Sequence, residues 1–454
     1  MITASAYKGK KIGVFGLART GVAAVRALEA SGADVQAWDD ADERRAAVPS
    51  SLHNLYDADF SELDAVMLAP GVPLTHPEPH ALVKKCTATG TPIISDFDVF
   101  EAARNDLALH KVVAITGTNG KSTTTALIGH MVAACGRPAA IGGNIGTGIL
   151  ALEPLADDGV YVLEMSSFQL DLTKDFNADI AILLNITPDH LDRHGDVAGY
   201  VRAKKRLFDM QAASSVAIIS VDDDHGAAMA SSVRGRTVPI SVEAAVPGGV
   251  YVLNGELFDD LDGKAISCGD LLAHAPMLLG GHNWQNMAAA YAAGRILGLT
   301  GANILKAFGS FPGLAHRQET LAFIRGVRLV NDSKATNVDA ASRALKAFEN
   351  IHWIAGGRPK EKNFSALLPL MGDVKQAYLI GEAADAIAHD VGAAVGVTDC
   401  RDLEHALELA FANAVDGDVI LLSPACTAFD QFRDFEARGE AFRTLVKAIE
   451  ESTV

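Results

Sequence analysis

A glycine-bracketed turn between an apolar run and a helical pattern is the feature of this chain best suited to chemistry. The segment ITGTNGKSTTTALIG covers residues 115–129 of 454. Gly117 and Gly120 can adopt backbone angles closed to other residues. Successive amides, including those of Thr118 and Asn119, could then converge on phosphate oxygens. The turn therefore predicts a site for the phosphates of a nucleoside triphosphate.

The side chains that follow the turn complete this predicted site. Lys121 would supply a charge for the β- and γ-phosphates, and the hydroxyl of Ser122 or Thr123 would bind Mg²⁺. A helix expected from Thr123 onward directs the positive end of its dipole at the anion. The spacing departs from the standard pattern, because Ile115 stands where the first glycine belongs. We interpret the segment as a phosphate loop; the alternative is a strand–helix turn with a solvated lysine.

Two further residues that could bind a metal follow other apolar runs. Glu164 ends the run in VYVLEMSS, and His190 lies in NITPDHLDRH, just past another predicted strand. Neighbouring strands of one parallel sheet could bring both side chains beside the loop hydroxyl. Carboxylate and imidazole are plausible ligands for Mg²⁺ or Mn²⁺, although a nitrogen ligand is unusual for magnesium. The alternative is a helix-capping glutamate and a surface histidine.

Other charged residues give weaker signals. Lys204 lies on the predicted helix YVRAKKRLF, where neighbouring basic residues indicate, on pattern alone, a solvated face. Towards the carboxyl terminus, charged residues close a linker or follow predicted strands, and together they could clamp phosphate and carboxylate groups. Individually, each of them is more typical of a surface charge. They are Arg317, Asp332, Lys334 and Lys360.

The elements that must position these residues follow an α/β pattern. Strands alternate with helices, which predicts largely parallel sheets covered on both faces. The pattern restarts at VVAITGTNGKS, and GSFPGLAHRQE has the glycine and proline content of a linker. We expect three domains: a Rossmann-like domain over 1–107, a central phosphate-loop domain over 108–311 and a Rossmann-like α/β domain over 312–454. Within the central domain, residues 225–276 predict a small antiparallel excursion.

The first domain opens with a βαβ unit whose turn partly matches the dinucleotide-binding fingerprint. Gly16 and Gly21 hold its outer positions, but Ala18 stands at the middle position, where glycine normally admits a pyrophosphate. An NAD or FAD site, a purely structural turn and a differently seated nucleotide all remain open. The residues that could contact such a nucleotide are Arg19, Thr20 and Asp39.

Composition limits the class of protein. The formal charge of −17 argues against non-specific nucleic-acid binding, which needs a basic surface. Five scattered cysteines without a CxxC pair are typical of unpaired buried thiols in a reducing compartment. The start of the chain lacks the layout of a signal peptide, and we find no apolar run long enough to span a membrane. We therefore expect a soluble cytoplasmic protein.

Six motifs in order along the chain resemble those of the Mur ligases, which build the peptide stem of bacterial peptidoglycan. They are GTNGKST, EMSSFQLD, NITPDHLDRH, HNWQN, AHRQE and NDSKATN. Within the family, NDSKATN (331–337) and SPACTAFDQF (423–432) resemble the member that adds D-glutamate. The resemblance implies an ATP-dependent amide ligase that joins D-glutamate to UDP-N-acetylmuramoyl-L-alanine, with the three domains holding the UDP-sugar, ATP and the amino acid. It implies no obligate protein partner.

The resemblance also implies roles for individual residues. Lys121, His190 and Lys204 would be catalytic, and the lysine matching Lys204 is carbamylated in the family, which makes it a metal ligand. Two magnesium sites, possible also for manganese, would use Ser122, Thr123, Glu164, His190 and carbamylated Lys204. ATP would contact the loop residues Gly117–Thr123, Asn283, Asn286, Arg317 and Asp332. The UDP-substrate would contact Arg19, Thr20, Asp39 and Asn144, and D-glutamate would contact Lys334, Thr336, Lys360, Thr427 and Phe435.

One departure from the family pattern affects the amino-acid site. The family often has serine where Ala428 stands, so the distal carboxylate of D-glutamate would need Thr427, Ser423 or a backbone amide. The nearest alternative is a folylpolyglutamate synthetase-like ligase, which lacks a UDP-sugar domain. A nucleotide-gated binding protein would not need Glu164, His190 and Lys204 together, and a dehydrogenase interpretation rests only on the imperfect glycine turn.

Overall fold

The computed structural model describes residues 1–275, 278, 280–361 and 363–453, with the side chain of residue 282 left aside. The chain divides into two compact units. The first unit comprises Met1–Pro276 and Asn283–Phe311, and the second comprises Met277–His282 and Pro312–Val454. Within the described residues the strands form three sheets, two of them in the first unit. None of the helices in this part of the chain is both long and apolar enough to cross a bilayer.

The first sheet is wholly parallel and has the strand order β2-β1-β3-β4. Its strands are β1 (Lys11–Phe15), β2 (Asp34–Trp38), β3 (Ala65–Leu68) and β4 (Ile93–Ile94). Its helices are α1 (Arg19–Ala30), α2 (Asp42–Arg45), α3 (Ala81–Thr89) and α4 (Asp96–Ala103). The predicted βαβ opening is confirmed, and β2 ends one residue before Asp39.

The second sheet has the order β13-β12-β11-β10-β9-β8-β5-β7-β6. Its strands are β5 (His110–Thr116), β6 (Ala139–Gly143), β7 (Gly159–Glu164), β8 (Ile180–Leu183), β9 (Val216–Ser220), β10 (Arg236–Ser241), β11 (Val250–Leu253), β12 (Glu256–Asp259) and β13 (Ile266–Asp270). Its helices are α5 (Lys121–Ala134), α6 (Ser167–Leu172), α7 (Leu191–His194), α8 (Val197–Asp209), α9 (Asp224–Ala230), α10 (Leu271–His274), α11 (Gly281–Ile296) and α12 (Gly301–Gly309).

The predicted antiparallel excursion over 225–276 is only partly correct. Strands β11, β12 and β13 pair antiparallel, as expected. Helix α9 and strand β10 also lie in this stretch, and β10 pairs in parallel with β9 and β11. The parallel part of the sheet therefore extends further along the chain than its glycine-rich pattern indicated.

The first two sheets share one hydrophobic core. A single buried cluster contains apolar residues of both sheets and of the helices between them. The rings of Phe97 and Phe176 meet edge to face with their centroids 5.2 Å apart. The amide of Ile2 donates to the carbonyl of Leu150 over 3.0 Å, which ties the amino terminus to the connection between β6 and β7. The sheets are therefore parts of one packed body.

The second unit holds the third sheet, whose order is β14-β15-β19-β16-β17-β18. Its strands are β14 (Glu319–Ile324), β15 (Val327–Asn331), β16 (Ile351–Gly356), β17 (Val374–Ile380), β18 (Val397–Arg401) and β19 (Val419–Leu422). Its helices are α13 (Val338–Leu345), α14 (Ala384–Val391), α15 (Leu403–Asn413) and α16 (Phe435–Thr453). Strand β14 pairs antiparallel and the others pair in parallel, with a core on each face. The predicted fold class is thus confirmed.

Candidate active site

The predicted phosphate loop connects β5 to α5, and its two glycines adopt the conformations that the turn requires. The backbone φ angles are +151° at Gly117 and +86° at Gly120. The helix begins at Lys121 and not at Thr123, because Gly120 in the left-handed region serves as its N-cap. Lys121 therefore lies in the first helical turn, at the positive end of the helix dipole.

Two loop amides have protein acceptors. The N–H of Thr118 donates to the carbonyl of Asn185 over 2.8 Å, and the N–H of Asn119 donates to the Asn185 side chain over 2.9 Å. Asn185, which the sequence did not single out, thus shapes the loop from the end of β8. Phosphate contacts through these two amides stay a prediction, and they would have to share or replace the bonds to Asn185.

Two lysines converge on one carbonyl of the loop. The Nζ of Lys121 donates to the carbonyls of Gly117 (3.0 Å) and Thr118 (2.8 Å). The Nζ of Lys204 donates to the same Gly117 carbonyl over 2.8 Å. The pattern-only interpretation of Lys204 as part of a solvated face is wrong, since this residue is 1% exposed.

The burial of Lys204 follows from the phase of helix α8. The helix buries one apolar stripe at positions 200, 203, 204, 207 and 208, and Lys204 lies within that stripe. Its Nζ lies 4.4 Å from the ring centroid of Tyr200. Burial, and then the nearby charge of Lys121, lowers the pKa of Lys204 well below its ordinary value. The amine is therefore held in a place that favours its uncharged form.

Glu164 lies in the same neighbourhood, at the end of β7. Its side chain is 2% exposed, and Oε1 accepts a hydrogen bond from the Asn144 amide over 2.7 Å. Its other oxygen, Oε2, is buried and has no hydrogen-bond partner in the described part of the chain. The helix-capping alternative is wrong for this residue, because Ser166 caps α6 through a capping box with Gln169.

His190 stands immediately before α7 with a left-handed backbone, φ +51°. Its side chain is 42% exposed, and its ring centroid lies 4.8 Å from that of Phe168 and 6.4 Å from that of Tyr200. The Tyr200 hydroxyl in turn lies 3.2 Å from the Thr118 hydroxyl. His190 is thus connected to the loop through Tyr200, a residue that the sequence reasoning missed.

A metal site is not complete from carboxylates and imidazoles alone. Among the described residues, no group of three or more His, Cys, Asp and Glu side chains is arranged to hold a metal ion. The predicted set contains two residues of these types, Glu164 and His190. Its remaining ligands are hydroxyls and a modified lysine, so magnesium binding stays a prediction.

The asparagines of the HNWQN motif support the loop from beneath. Asn286 is buried, accepts from the Thr124 hydroxyl over 3.1 Å and donates to the Asn283 side chain over 2.9 Å. A Cβ atom on Gly120 would lie 2.3 Å from Asn286 Oδ1. This packing explains why the loop needs glycine there. Contacts of Asn283 and Asn286 with adenine stay a prediction.

The glycine turn of the first sheet is shaped by packing. A Cβ atom on Gly16 would lie 2.5 Å from Ala69 Cβ, and one on Gly21 would lie 1.8 Å from the Gly16 carbonyl oxygen. Ala18 has an ordinary φ of −71°, so its backbone does not require glycine. The two glycines are therefore required by the fold itself.

Asp39 is occupied by the backbone of the same turn. It accepts hydrogen bonds from the amides of Leu17 (2.6 Å) and Ala41 (2.9 Å). Burial alone would raise the pKa of Asp39, but these bonds and Arg44 lower it. Of the other residues predicted to contact a nucleotide here, Arg19 is exposed and Thr20 is half-buried at the start of α1.

In the second unit, Asp332 is buried just past β15. It accepts from the Ser423 hydroxyl over 2.9 Å and from the Gln318 amide over 3.1 Å. Burial raises the pKa of Asp332 to about 7, against the opposing effect of these bonds and of Arg317. Arg317 and Asp332 therefore lie close together, as a shared binding role requires.

The residues predicted to hold D-glutamate all lie at the carboxyl ends of β15, β16 and β19 or at the start of α16. Lys334 Nζ lies 3.6 Å from the ring centroid of Phe435, and Lys360 is exposed in the loop after β16. The Thr427 hydroxyl donates to the Arg358 carbonyl over 2.9 Å. The Ser423 hydroxyl likewise donates, to Asp332. The choice among Thr427, Ser423 and a backbone amide for the distal carboxylate stays a prediction.

The sheets, the phosphate loop and the polar strand ends together define a nucleotide-binding α/β protein. Residues 115–294 match the family model described as Mur ligase middle domain, and residues 316–426 match Mur ligase, glutamate ligase domain. The chain belongs to the Mur ligase family.

Relatives in this family match nearly the whole chain. The UDP-N-acetylmuramoylalanine–D-glutamate ligase of Phenylobacterium zucineum (strain HLK1) is 48% identical over 99% of this chain and 98% of that protein. The protein of the same name from Sphingopyxis alaskensis is 45% identical over 99% of this chain and 100% of that protein.

Solved structures show the same fold at low sequence identity. The UDP-N-acetylmuramate–alanine ligase of Thermotoga maritima aligns with a TM-score of 0.60 at 18% identity, over 98% of this chain and 100% of that chain. The MurF ligase of Thermotoga maritima in complex with ADP aligns with a TM-score of 0.59 at 16% identity, over 85% and 90% of the two chains.

Proposed function

We propose that this chain is an ATP-dependent ligase that adds D-glutamate to UDP-N-acetylmuramoyl-L-alanine, in cytoplasmic synthesis of the peptidoglycan precursor. One observation carries this function: relatives that bear the corresponding name are 45–48% identical over 99% of the chain. The phosphate loop supports the use of ATP. The folylpolyglutamate synthetase-like alternative is not favoured, since those relatives also cover the first sheet, which such an enzyme lacks.

Each domain would bind one substrate. The domain over 1–107 would hold the UDP-sugar, that over 108–311 would hold ATP, and that over 312–454 would hold D-glutamate. The positions of Lys334 and Thr427 beyond the ends of the neighbouring strands β15 and β19 support the last assignment. Arg317 and Asp332 are the residues of this last domain that the family resemblance assigns to ATP.

The reaction begins with the activation of a poor acyl donor. A carboxylate oxygen of the UDP-sugar substrate attacks the γ-phosphorus of ATP, ADP leaves, and an acyl phosphate forms. Lys121 at the start of α5 would neutralise the transferring phosphoryl group, together with the helix dipole. The deprotonated amine of D-glutamate then attacks the acyl carbon. The tetrahedral intermediate expels phosphate and leaves the amide.

Residues of the first unit fit a divalent cation. The buried Oε2 of Glu164, which has no hydrogen-bond partner among the described residues, is the kind of oxygen that a hard cation binds. Glu164, His190, the hydroxyl of Ser122 or Thr123, and a carbamylated Lys204 would hold such cations at the two sites that the resemblance implies. Bound Mg²⁺ would neutralise phosphate charge. Asn144 orients the carboxylate of Glu164 by donating to Oε1.

The environment of Lys204 supports carbamylation. An uncharged buried amine can attack carbon dioxide, forming an N–C bond and releasing one proton. The product is an anionic carbamate, which the charge of nearby Lys121 would stabilise. The step turns a cation into a carboxylate-like ligand, and it adds an acidic group to that of Glu164.

Phosphate release tests the function. We expect release to require ATP, UDP-N-acetylmuramoyl-L-alanine and D-glutamate together, in a panel that also contains L-glutamate and other amino acids. Release with L-glutamate or with pteroylglutamate alone would overturn the assignment. As a control, Lys121→Ala should abolish turnover, because the γ-phosphate would lose its positioning charge.

A further inference from the structure

A buried arginine lies beneath the amino-acid end of the second unit. Arg438, in the first turns of α16, is 1% exposed. It is therefore too deeply buried to touch a substrate. Burial lowers the pKa of Arg438 to about 10, so the guanidinium stays charged near neutral pH. A buried charge of this kind is costly unless it is fully hydrogen-bonded.

The guanidinium donates to backbone carbonyls from three separate loops. Nη2 donates to the carbonyls of Ser333 (2.9 Å) and Cys426 (3.0 Å). Nη1 donates more weakly to the carbonyls of Gly356 and Thr427, each over 3.4 Å. Nε donates to the Ser333 hydroxyl over 3.0 Å, and that hydroxyl donates to the carbonyl of Phe435 over 2.9 Å.

The three loops are adjacent because of the strand order. Strand β19 lies between β15 and β16, and the carbonyls that Arg438 binds lie at or beyond the carboxyl ends of these strands. The side chain thus reaches both neighbours of the central strand. A planar group with five donors in fixed directions suits this task, whereas a single ammonium group does not.

The same loops carry the residues predicted to hold D-glutamate. Lys334 directly follows Ser333, and Lys360 lies in the loop after the strand that ends at Gly356. The carbonyl of Thr427 itself accepts a hydrogen bond from Arg438. We propose that Arg438 is a positioning residue for the acceptor amino acid, fixing the spacing of the three loops that carry Lys334, Lys360 and Thr427. This inference rests on the proposed function.

Steady-state kinetics of Arg438→Lys test the proposal. Lysine keeps the charge but cannot bond to both sides of β19, so we expect the KM for D-glutamate to rise at least tenfold. The KM for UDP-N-acetylmuramoyl-L-alanine should stay within twofold, since its proposed contacts lie in the first unit. A merely structural role would lower the melting temperature and kcat without this selective effect on KM.

Arg443→Lys is the matched control. Arg443 lies on the same helix and is partly exposed, and it pairs with Glu319 and Glu440. This variant should leave the KM for D-glutamate unchanged. An equal rise in both variants, or an unchanged KM in Arg438→Lys, would overturn the proposal.

If Arg438→Lys does not fold, a second variant, Ser333→Ala, tests the positioning role of Arg438. Ser333→Ala removes the hydroxyl that joins Nε of Arg438 to Phe435 and leaves the guanidinium in place. We expect a rise of about threefold in the KM for D-glutamate, and no rise would contradict the proposal. If the wild-type protein itself does not use D-glutamate, the proposed function has failed rather than this inference.

Discussion

The Gly120→Ala substitution would push a methyl group into the support of the phosphate loop. The new Cβ would lie 2.3 Å from Asn286 Oδ1 and 3.1 Å from Leu184 Cδ1. Asn286 cannot yield freely, because hydrogen bonds to Thr124 and Asn283 hold its amide. The φ of +86° is in addition a conformation that alanine rarely adopts.

These contacts set the expected loss in the free energy of unfolding. The left-handed backbone costs about 1–2 kcal/mol for a residue with a side chain. Displacing Asn286 would remove two buried hydrogen bonds, at about 0.5–1.5 kcal/mol each. Together, the backbone strain and the two lost hydrogen bonds should lower the free energy of unfolding by about 2–5 kcal/mol. If the loop shifts rather than unfolds, a displacement cost of about 1–3 kcal/mol corresponds to a rise of roughly 5- to 150-fold in the KM for ATP.

Gly136→Ala provides the control at the other end of the same helix. Gly136 has a similar φ of +82°, but apart from Gly136 itself and its two chain neighbours, no heavy atom of the described residues lies within 4 Å of the place that its new Cβ would take. The Gly136→Ala variant should lose only the cost of the left-handed backbone, about 1–2 kcal/mol in the free energy of unfolding, and its KM for ATP should not change. Urea unfolding and ATP titration measure both quantities. Equal losses in the two variants would refute the argument from packing.

Three further substitutions have defined outcomes. Lys204→Ala should have low activity that short carboxylates such as acetate restore; activity that stays low would leave the carbamate without support. Asn144→Ala should raise the Mg²⁺ concentration needed for half-maximal rate roughly 10- to 100-fold, because it frees Glu164 from its orienting bond; an unchanged requirement would count against Glu164 as a ligand. Burial raises the pKa of Asp96 to about 7. The contribution of Asp96 to the free energy of unfolding is therefore fully present below about pH 4 and is lost as the pH rises to about 7. The free energy of unfolding, measured with urea, should therefore change with pH by about 4 kcal/mol less in Asp96→Asn than in the wild type between those two pH values. The same change in both proteins would disprove this.

Local patterns predicted the elements, and they predicted the phosphate loop in particular. Its glycines and lysine lie within the short segment GTNGKST, so the local sequence alone indicated the turn and the helix that follows it. The burial of Lys204 could also have been found, since Tyr200, Leu207 and Phe208 share its face of a helix. The basic neighbours of Lys204 concealed that signal, because adjacent residues on a helix point in different directions.

Contacts between distant parts of the chain could not be predicted in this way. Asn185 binds the amide of Asn119 across 66 positions, and Arg438 binds Ser333 across 105. Neither residue differs locally from an ordinary polar residue beside a strand or in a helix. Their roles depend on the order in which strands pair, which periodicity along the chain does not encode.

The core shared by the first two sheets constrains how the protein can be made on the ribosome. Phe97 on helix α4 packs against Phe176. The first sheet and its helices therefore cannot bury this apolar surface while only the first hundred or so residues have emerged. The nascent chain must expose apolar surface until roughly residue 176 is available. A truncated amino-terminal fragment that ends before this residue would expose the same surface and would be prone to aggregate.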